Sequence, residues 1–212
     1  MIFFHEIDLY VLVITITASY LLGSISFGIL ATKFMKLQDL RSVGSGNIGA
    51  TNVLRTGNKT AAMLTLILDG GKGYAAVSIV AFFSEAYVPF AILFVFIGHI
   101  APIYYRFKGG KGVATFLGII FAINFISGLM VCFTWLLLAI ISKKSSFASL
   151  GCSLVTPFFL FFGSSPDIGL FIIILTVLIW WSHKGNIRRL ISKTEPSINI
   201  RNNKKTKPKT II

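Results

Sequence analysis

The sequence has few charged residues for its length, and this scarcity excludes a soluble globular protein. Only 13% of its 212 residues are charged, whereas 55% are hydrophobic, and the mean hydropathy is +0.82. Soluble domains carry about 25% charged residues. The composition therefore predicts several helices within a lipid bilayer.

Acidic residues are especially scarce, at seven against 20 lysines and arginines, which gives a net charge of +13. In a soluble protein this excess would suggest a nucleic-acid partner. In a membrane protein it has another cause, because basic residues accumulate in the cytoplasmic segments. We therefore expect a lipid bilayer as the surroundings and no nucleic acid as a partner.

Cysteine is also rare. Cys132 and Cys152 lie within apolar runs, with no CxxC spacing and no histidine nearby. This pattern predicts buried thiols, and it favours neither a disulfide nor a metal site. Glu6 and Asp8, instead of a basic segment, precede the first apolar run, which predicts a retained span and not a signal peptide.

The apolar runs predict an all-α integral membrane protein with about seven transmembrane helices, some of them short. Residues 1–198 would form one transmembrane domain, and the basic tail 199–212 is rich in polar residues and predicted to be disordered. The predicted spans are residues 7–34, 60–83, 87–105, two short helices within 113–141 that turn near Asn124, 147–162 and 168–181.

The basic residues predict the orientation of these spans. Every lysine and arginine except the mid-span Lys72 falls in four segments, whereas Glu6, Asp8, Glu85 and Asp167 fall on the other side. The positive-inside rule then places the N-terminus outside and the C-terminus in the cytoplasm, with the polar motifs gathered on the cytoplasmic face. The four segments are residues 33–59, 104–111, 142–146 and 183–212.

A glycine-rich segment, residues 41–57, is the most polar part of the chain before the tail. Its glycines allow backbone N–H groups to converge on an anion, and Arg41 and Arg55 bracket it. The alternative is a solvated loop between two helices. The small or hydrogen-bonding residues of the segment are Ser42, Gly44, Ser45, Gly46, Asn47, Gly49, Thr51, Asn52 and Gly57.

Asp69 and Lys72 lie in the middle of the second predicted span. Charges three residues apart on a helix can pair, and charges within a membrane segment indicate a functional site. The alternative is a structural ion pair at a helix break, which the three neighbouring glycines would permit. Further along, residues 108–112 lack the spacing of a nucleotide-binding loop but can form an anion-binding turn before a helix.

The cations of these segments suit a dianionic phosphate ester, because few carboxylates oppose them. His99 and His183 are candidates for a general base, although a lone histidine at a helix end is more often structural. No arrangement of nucleophile and base is recognisable. The pattern favours a site that holds two substrates and stabilises developing phosphate charge.

Four stretches resemble the bacterial acyl-phosphate:glycerol-3-phosphate acyltransferase family, membrane-integral enzymes of phospholipid synthesis. The resemblance implies a seven-helix protein of the bacterial plasma membrane with a site that faces the cytoplasm. It also implies transfer of a fatty acyl group from acyl phosphate to the 1-hydroxyl of glycerol 3-phosphate, giving lysophosphatidic acid and inorganic phosphate. The donor phosphate would accept the proton, and no cofactor is expected. The stretches are residues 45–55, 68–73, 98–102 with 107–115, and 183–195.

The resemblance also implies the site residues, and no metal ligand is among them. The implied catalytic residues are Ser45, Arg55, Lys108, His183 and Asn186. The substrate-binding residues, implied by the resemblance or by the patterns above, are Gly44, Gly46, Asn47, Thr51, Asn52, Asp69, Lys72, His99, Gly110, Lys111, Thr115 and Glu195.

The chain departs from the family at four positions. Ser26 and Ile48 stand where proline is frequent, Lys184 where arginine is usual, and Lys193 where glycine is common. The main alternative function is a transporter or exchanger of an organic phosphate, which mid-span charges and glycine-broken helices favour. Two matched halves would support that alternative, and the sequence contains no internal repeat of this kind.

Overall fold

The computed structural model describes residues 7–161 and 166–198, and every regular element in them is a helix. The all-α prediction is therefore confirmed. The predicted disordered tail, Glu6 and most of the turn at 163–167 lie outside the described residues. The helices are α1 Leu9–Ser24, α2 Phe27–Phe34, α3 Ala50–Leu54, α4 Lys59–Phe83, α5 Val88–Ile100, α6 Val113–Ile123, α7 Phe125–Ser142, α8 Ser145–Phe161, α9 Pro166–Ser182 and α10 Lys184–Ile191.

Four stretches of the described chain are long and apolar enough to cross a bilayer: Leu9–Phe34, α4, Glu85–Tyr105 and α7. The bent pair of α9 and α10, with 61° between its parts, is a fifth candidate. Helices α6 and α8 are apolar but shorter. The length and apolar composition of these helices are those of an integral membrane protein. A total of seven transmembrane helices and the orientation of the two termini remain predictions.

Two breaks in the helices have clear local causes. Asn124 separates α6 from α7, as the sequence predicts, and its side chain accepts a hydrogen bond from Ser127 N at 2.8 Å, which caps α7. The first span, predicted as a single run, is interrupted at Ile25 and Ser26, where the backbone is extended. This break leaves backbone polar groups that need partners within the membrane.

Helix α4 is continuous from Lys59 to Phe83, so the predicted possibility of a glycine break at 70–73 is wrong. The glycines instead allow α4 and α6 to touch. A Cβ on Gly73 would lie 2.3 Å from Thr115 O, and a Cβ on Gly118 would lie 1.8 Å from Gly70 O. Small residues let helix backbones approach closely in membranes.

Helices α1 and α5 meet in the same way, because a Cβ on Gly23 would lie 2.2 Å from Val95 O. Two serines follow this contact. Ser24 Oγ donates to Tyr20 O at 2.8 Å, and neither Ser24 nor Ser26 borders the cavity described below.

Two apolar clusters hold the framework. The larger one joins α4, α5, α6 and α9 around fully buried side chains such as Phe96, Phe116 and Leu175. The smaller one packs Leu40 and, within the glycine-rich segment, Ile48 and Val53 against the start of α4. The second cluster therefore fixes the glycine-rich segment beside the polar ends of the helices.

Candidate active site

A cavity of about 710 Å³ opens beside α4, α6, α7 and α8. Its lining combines polar with apolar side chains, and we call these two sets the polar wall and the apolar wall. Its volume is within the range of pockets that hold small-molecule ligands. The polar wall contains Ser45, Asn47, Thr51, Asn52, Arg55, Asp69, His99, Lys111, Ser146, His183, Asn186 and Glu195, and the apolar wall includes Met63, Leu66, Leu117 and Trp135.

Asn52 organises the glycine-rich segment. It is 1% exposed, its Nδ2 donates to Leu40 O at 2.9 Å, and its Oδ1 accepts from Ser45 N at 3.1 Å. The same Oδ1 accepts from Arg55 Nη1 at 3.1 Å. Asn52, predicted as a substrate ligand, borders the cavity, but these bonds commit its amide to holding Ser45 and Arg55 in place.

Gly44 and Gly46 do not border the cavity, so the structure does not place them as direct ligands. Both have positive φ, 53° and 69°, in the left-handed region that glycine tolerates best. A Cβ on Gly44 would lie 2.6 Å from Arg55 Cδ. These glycines shape the turn that lets the Arg55 side chain lie against it.

Glu195 lies at the centre of a second cluster on the polar wall. Its Oε1 accepts from Ser146 Oγ at 2.7 Å and from Asn186 Nδ2 at 2.6 Å. Its Oε2 accepts from Arg189 Nε at 2.7 Å. Asn186 Oδ1 in turn accepts from Lys111 Nζ. The cluster links the loop before α6 to α8 and α10.

The electrostatics of this cluster follow from burial and mutual contacts. Burial lowers the pKa of Lys111 to about 8, and nearby Glu195 opposes this while Arg189 and Arg55 add to it. Burial alone would raise the pKa of Glu195, but its hydrogen bonds from Ser146, Asn186 and Arg189 hold that pKa below its usual value. Burial also lowers the pKa of Arg55. Arg55 and Lys111 therefore face the cavity as cations, with the Glu195 carboxylate near them.

His183 lies at the bend between α9 and α10 and is 2% exposed. Its Nδ1 is 2.8 Å from the carbonyl oxygen of Ile179, which can only accept, so Nδ1 carries the proton. In the neutral ring Nε2 is then an acceptor. His183 can accept a hydrogen bond from a substrate hydroxyl, as well as stabilise the bend.

Asp69 and Lys72 form the predicted ion pair, with 3.0 Å between Oδ1 and Nζ. Lys72 Nζ also donates to Ile25 O at 2.5 Å, and Phe27 N donates to Asp69 Oδ1 at 3.4 Å. The pair thus satisfies the backbone groups left free by the break between α1 and α2. Lys72 does not border the cavity, so its prediction as a substrate ligand is not supported, whereas Asp69 does border it.

The turn at 106–112 separates residues that the sequence groups together. Lys111 borders the cavity, whereas Lys108 is exposed and its side chain does not border it. Arg41 Nη2 donates to Lys108 O at 3.5 Å, which joins this turn to the glycine-rich segment. Gly112, at φ 79°, is the N-cap residue of α6, and the N-terminus of that helix borders the cavity through Gly112, Val113 and Ala114.

Three other predicted ligands are adjacent to the cavity wall or part of it. Gly110 does not border the cavity, and a Cβ there would lie 2.3 Å from His99 Nε2. Thr115 Oγ1 donates to Asp69 O at 3.0 Å and is fully buried. His99 borders the cavity beneath Gly110. Gly110 and Thr115 therefore lie behind the cavity wall and support it, and neither residue borders the cavity.

Sequence reasoning missed Ser146, Lys144 and Arg189. Ser146 and Arg189 bind the Glu195 carboxylate, and Lys144 Nζ donates to the backbone oxygen of Glu195. In the sequence, Lys144, Ser145 and Ser146 are a short polar stretch before α8 that is indistinguishable from an ordinary loop. Their role becomes clear only in the structure, where the chain after α10 returns to this turn and places Glu195 against Lys144 and Ser146.

Comparison with known proteins places this architecture among acyltransferases. The family described as "Glycerol-3-phosphate acyltransferase" matches residues 13–193. A protein of that name from Mesorhizobium japonicum is 43% identical over 189 residues, which cover 89% of this chain and 97% of the relative. One from Roseobacter denitrificans is 50% identical over 180 residues, covering 84% and 90%.

The fold resembles a solved structure as well. PlsY (YgiH), described as an integral membrane glycerol 3-phosphate acyltransferase, was crystallised in a glycerol 3-phosphate form that superposes with a TM-score of 0.83 at 36% identity. The superposition covers 88% of this chain and 95% of that protein. Its lysophosphatidic acid form gives a TM-score of 0.82 at 35% identity, with the same coverage.

Proposed function

We propose that this chain, which belongs to the glycerol-3-phosphate acyltransferase family, transfers a fatty acyl group from an acyl phosphate to the 1-hydroxyl of glycerol 3-phosphate. The products are lysophosphatidic acid and inorganic phosphate. Acyl-CoA and acyl carrier protein do not serve as direct donors. The relatives and the solved PlsY forms support the acceptor, and the proposal of an acyl phosphate donor rests on the sequence motifs and the cavity.

One observation carries the proposal: the cavity joins a cationic wall to an apolar wall. Arg55 and Lys111 border it on the polar side, together with the N-terminus of α6, and all three attract phosphate oxygens. Met63, Leu66 and Leu117 in the same lining suit an acyl chain. A phosphorylated acceptor and an acyl phosphate require this combination.

The reaction can proceed without an enzyme nucleophile. The 1-hydroxyl oxygen attacks the acyl carbon, the bond from that carbon to the phosphate oxygen breaks, and the hydroxyl proton passes to the leaving phosphate. Arg55 and Lys111 stabilise the charge on the phosphates within the cavity, and Lys108 contributes its charge from outside it. Ser45 and Asn186 orient the acceptor, and His183 Nε2 accepts a hydrogen bond from it. Holding both substrates in reacting geometry supplies the remaining rate enhancement.

The test uses purified protein with palmitoyl phosphate and glycerol 3-phosphate. We expect lysophosphatidic acid and inorganic phosphate in equal amounts, and no product when palmitoyl-CoA or acyl carrier protein replaces the acyl phosphate. Brisk release of CoA with product would refute the donor assignment. An absence of lysophosphatidic acid with every donor would refute the proposed reaction.

The alternative of a phosphate exchanger lost part of its support when α4 proved continuous. The break between α1 and α2 is closed by Asp69 and Lys72, so these mid-span charges already have partners within the protein. Counterflow of labelled glycerol 3-phosphate in liposomes, without any acyl donor, measures this alternative. We expect no counterflow above that of protein-free liposomes.

We further propose that the cavity faces the cytoplasm of a bacterial plasma membrane. The proposal rests on the asymmetric charges, since basic residues remain on the cytoplasmic side during insertion. Lys33 and Glu85 are exposed and lie on predicted opposite sides. A membrane-impermeant maleimide should label Glu85→Cys in intact spheroplasts and Lys33→Cys only in inverted vesicles. The reversed pattern would contradict the orientation.

A further inference from the structure

The chain after α10 returns across the turn between α7 and α8. Lys193 adopts the left-handed conformation, with φ 58°, and reverses the chain direction. The N–H groups of Thr194 and Glu195 then both donate to Arg189 O, at 2.8 and 3.1 Å. We call residues 194–198 the strap. Its backbone is thereby fixed to α10 at one end.

Lys144 fixes the strap at the other side. Its Nζ donates to Glu195 O and to Ser197 Oγ, the latter at 3.3 Å. Ile198 N also donates to Lys143 O at 2.9 Å. The Lys144 side chain is half-buried, so its charge-assisted bonds are less exposed to solvent and salt than those of a surface lysine.

The strap carries the carboxylate on which the second polar cluster depends. Glu195 is 5% exposed, and its carboxylate binds Ser146, Asn186 and Arg189. Asn186 then accepts from Lys111. A shift of the strap would therefore move the partner that orients Lys111, although Lys144 itself does not border the cavity.

We infer that Lys144 is a positioning residue for glycerol 3-phosphate binding: it anchors the strap, which holds Glu195 and Asn186 in place and keeps Lys111 directed into the cavity. The inference rests on the proposed function, in which Lys111 binds substrate phosphate. Its mechanism is geometric, because each link is a hydrogen bond: Lys144 to the Glu195 backbone, Asn186 to the Glu195 carboxylate, and Lys111 to Asn186.

Release of the strap also has an electrostatic consequence. Glu195 raises the pKa of Lys111, whereas Arg189 and Arg55 lower it. His183 faces Lys111 from the N-terminus of α10. Without the carboxylate in place, the cations remain, so Lys111 loses its proton at lower pH. Affinity for a phosphate dianion should then decline at lower pH than in the intact protein.

The experiment compares Lys144→Met with two matched variants. Lys144→Arg keeps the charge and a reach similar to lysine, and Lys143→Met removes an adjacent exposed lysine whose side chain is not part of the strap contacts. Hydrogen exchange measures the amides of the strap. Isothermal titration measures glycerol 3-phosphate affinity in nanodiscs at a series of pH values from about 6 to about 9.5, a range chosen to include the titration of Lys111.

For Lys144→Met we expect faster exchange of the strap amides and an affinity about tenfold weaker near neutral pH. The alkaline decline of affinity should begin about half a pH unit lower, since Lys111 loses an opposite charge. Lys144→Arg should restore most of the affinity, and Lys143→Met should match the parent chain. Ser197→Ala removes one of the two hydrogen bonds that Lys144 Nζ donates to the strap, so it should give a smaller change in the same direction. This variant replaces Lys144→Met in the experiment if Lys144→Met does not fold.

Unchanged exchange of the strap amides in Lys144→Met would overturn the inference. Faster exchange of the strap amides with unchanged glycerol 3-phosphate affinity would also overturn it. A loss of binding sites that is equal at every pH would do the same, because misfolding alone produces that result. No acyl donor is present in these measurements. Failure of the acyl phosphate assay would therefore refute the donor assignment while leaving these readouts to decide the role of Lys144.

Discussion

Two groups of buried charges in this protein differ in what they contact. Asp69 and Lys72 bind each other and the backbone groups of Ile25 and Phe27, which the break between α1 and α2 leaves free. Lys111 and Glu195 bind side chains on separate elements and border the cavity. The first group closes a gap in the framework, and the second leaves cations beside an open volume.

This contrast shows why a charge within an apolar sequence does not by itself mark a ligand site. Such charges are costly and need partners, but those partners can be backbone groups of the same protein. Lys72 has all its described contacts inside the framework. Lys111, by contrast, has a carboxamide partner and an adjacent cavity, so it can bind an added anion.

Lys72→Met tests the structural side of the contrast and should have the largest effect. Removing one partner leaves Asp69 buried without its cation and Ile25 O without a donor, which costs about 3–5 kcal/mol for a buried pair. We expect a clear fall in the thermal unfolding midpoint and in yield. The double variant Asp69→Asn with Lys72→Met should recover part of the stability. A stable Lys72→Met protein that has lost only activity would place Lys72 with the ligand-binding group.

Arg55→Ala tests the ligand-binding side. Loss of a charged donor to the developing phosphate charge should lower turnover by about 10²–10³-fold, or about 2.7–4 kcal/mol. The unfolding midpoint should stay close to that of the parent chain, because Arg55 is half-buried and its neighbour Asn52 keeps its bonds to Leu40 and Ser45. Near-normal turnover would exclude Arg55 from the phosphate site.

Lys108→Ala makes the contrast sharper within one turn of the chain. The family resemblance predicts a loss of turnover, and the exposed position of Lys108 predicts that this loss is smaller than for Arg55. We expect a decrease of about tenfold, since solvent and salt screen an exposed charge. The difference in turnover between the parent chain and Lys108→Ala should become smaller as the salt concentration increases, which measurements at low and high ionic strength test. A loss equal to that of Arg55→Ala at both salt levels would assign Lys108 to the closed part of the site.

The pH dependence of kcat/KM for glycerol 3-phosphate tests the state of Lys111. Its pKa of about 8 means that the free enzyme holds the cation below that pH and loses it above. Binding of the phosphate dianion should therefore weaken as pH rises through about 8. Lys111→Arg, which stays charged, should remove this alkaline decline. An identical decline in the variant would assign the titration to another group.

Lys193→Gly should give the smallest effect. Lys193 has φ 58°, a conformation that costs a residue with a Cβ about 1 kcal/mol more than glycine. Glycine has no Cβ and adopts this left-handed conformation without the same strain. We expect a slightly higher unfolding midpoint with unchanged turnover. A lower midpoint would show that the Lys193 side chain contributes more than its backbone conformation costs.

Local patterns in the sequence predicted much of the fold. The long apolar runs indicated the helices, Asn124 marked a turn because it caps α7, and the spacing of Asp69 and Lys72 indicated their ion pair. Each of these features depends on residues close together in the chain. The role of the glycines in α4 could not be predicted, because a glycine that breaks a helix and a glycine that lets a neighbouring backbone approach look the same in sequence.

The sequence predicted many of the residues that line the site, but it did not predict what each of them contacts. Lys108 and Lys111 are three residues apart, and only the turn that ends at Gly112 decides which of them borders the cavity. Asn52 was expected to bind substrate, yet its amide holds the glycine-rich segment together. The bond from Lys144 to Glu195 joins residues 51 positions apart, and no local pattern reports such a contact.

The central claim is that one cavity holds both phosphorylated substrates against Arg55 and Lys111. A structure of the protein with glycerol 3-phosphate and an unreactive acyl phosphonate tests it most directly. We expect both phosphorus groups in this cavity, with oxygens about 2.7–2.9 Å from the Arg55 guanidinium and the Lys111 ammonium, and the acyl chain along Leu66 and Leu117. Phosphate groups bound elsewhere, or an acyl chain outside the cavity, would contradict the account.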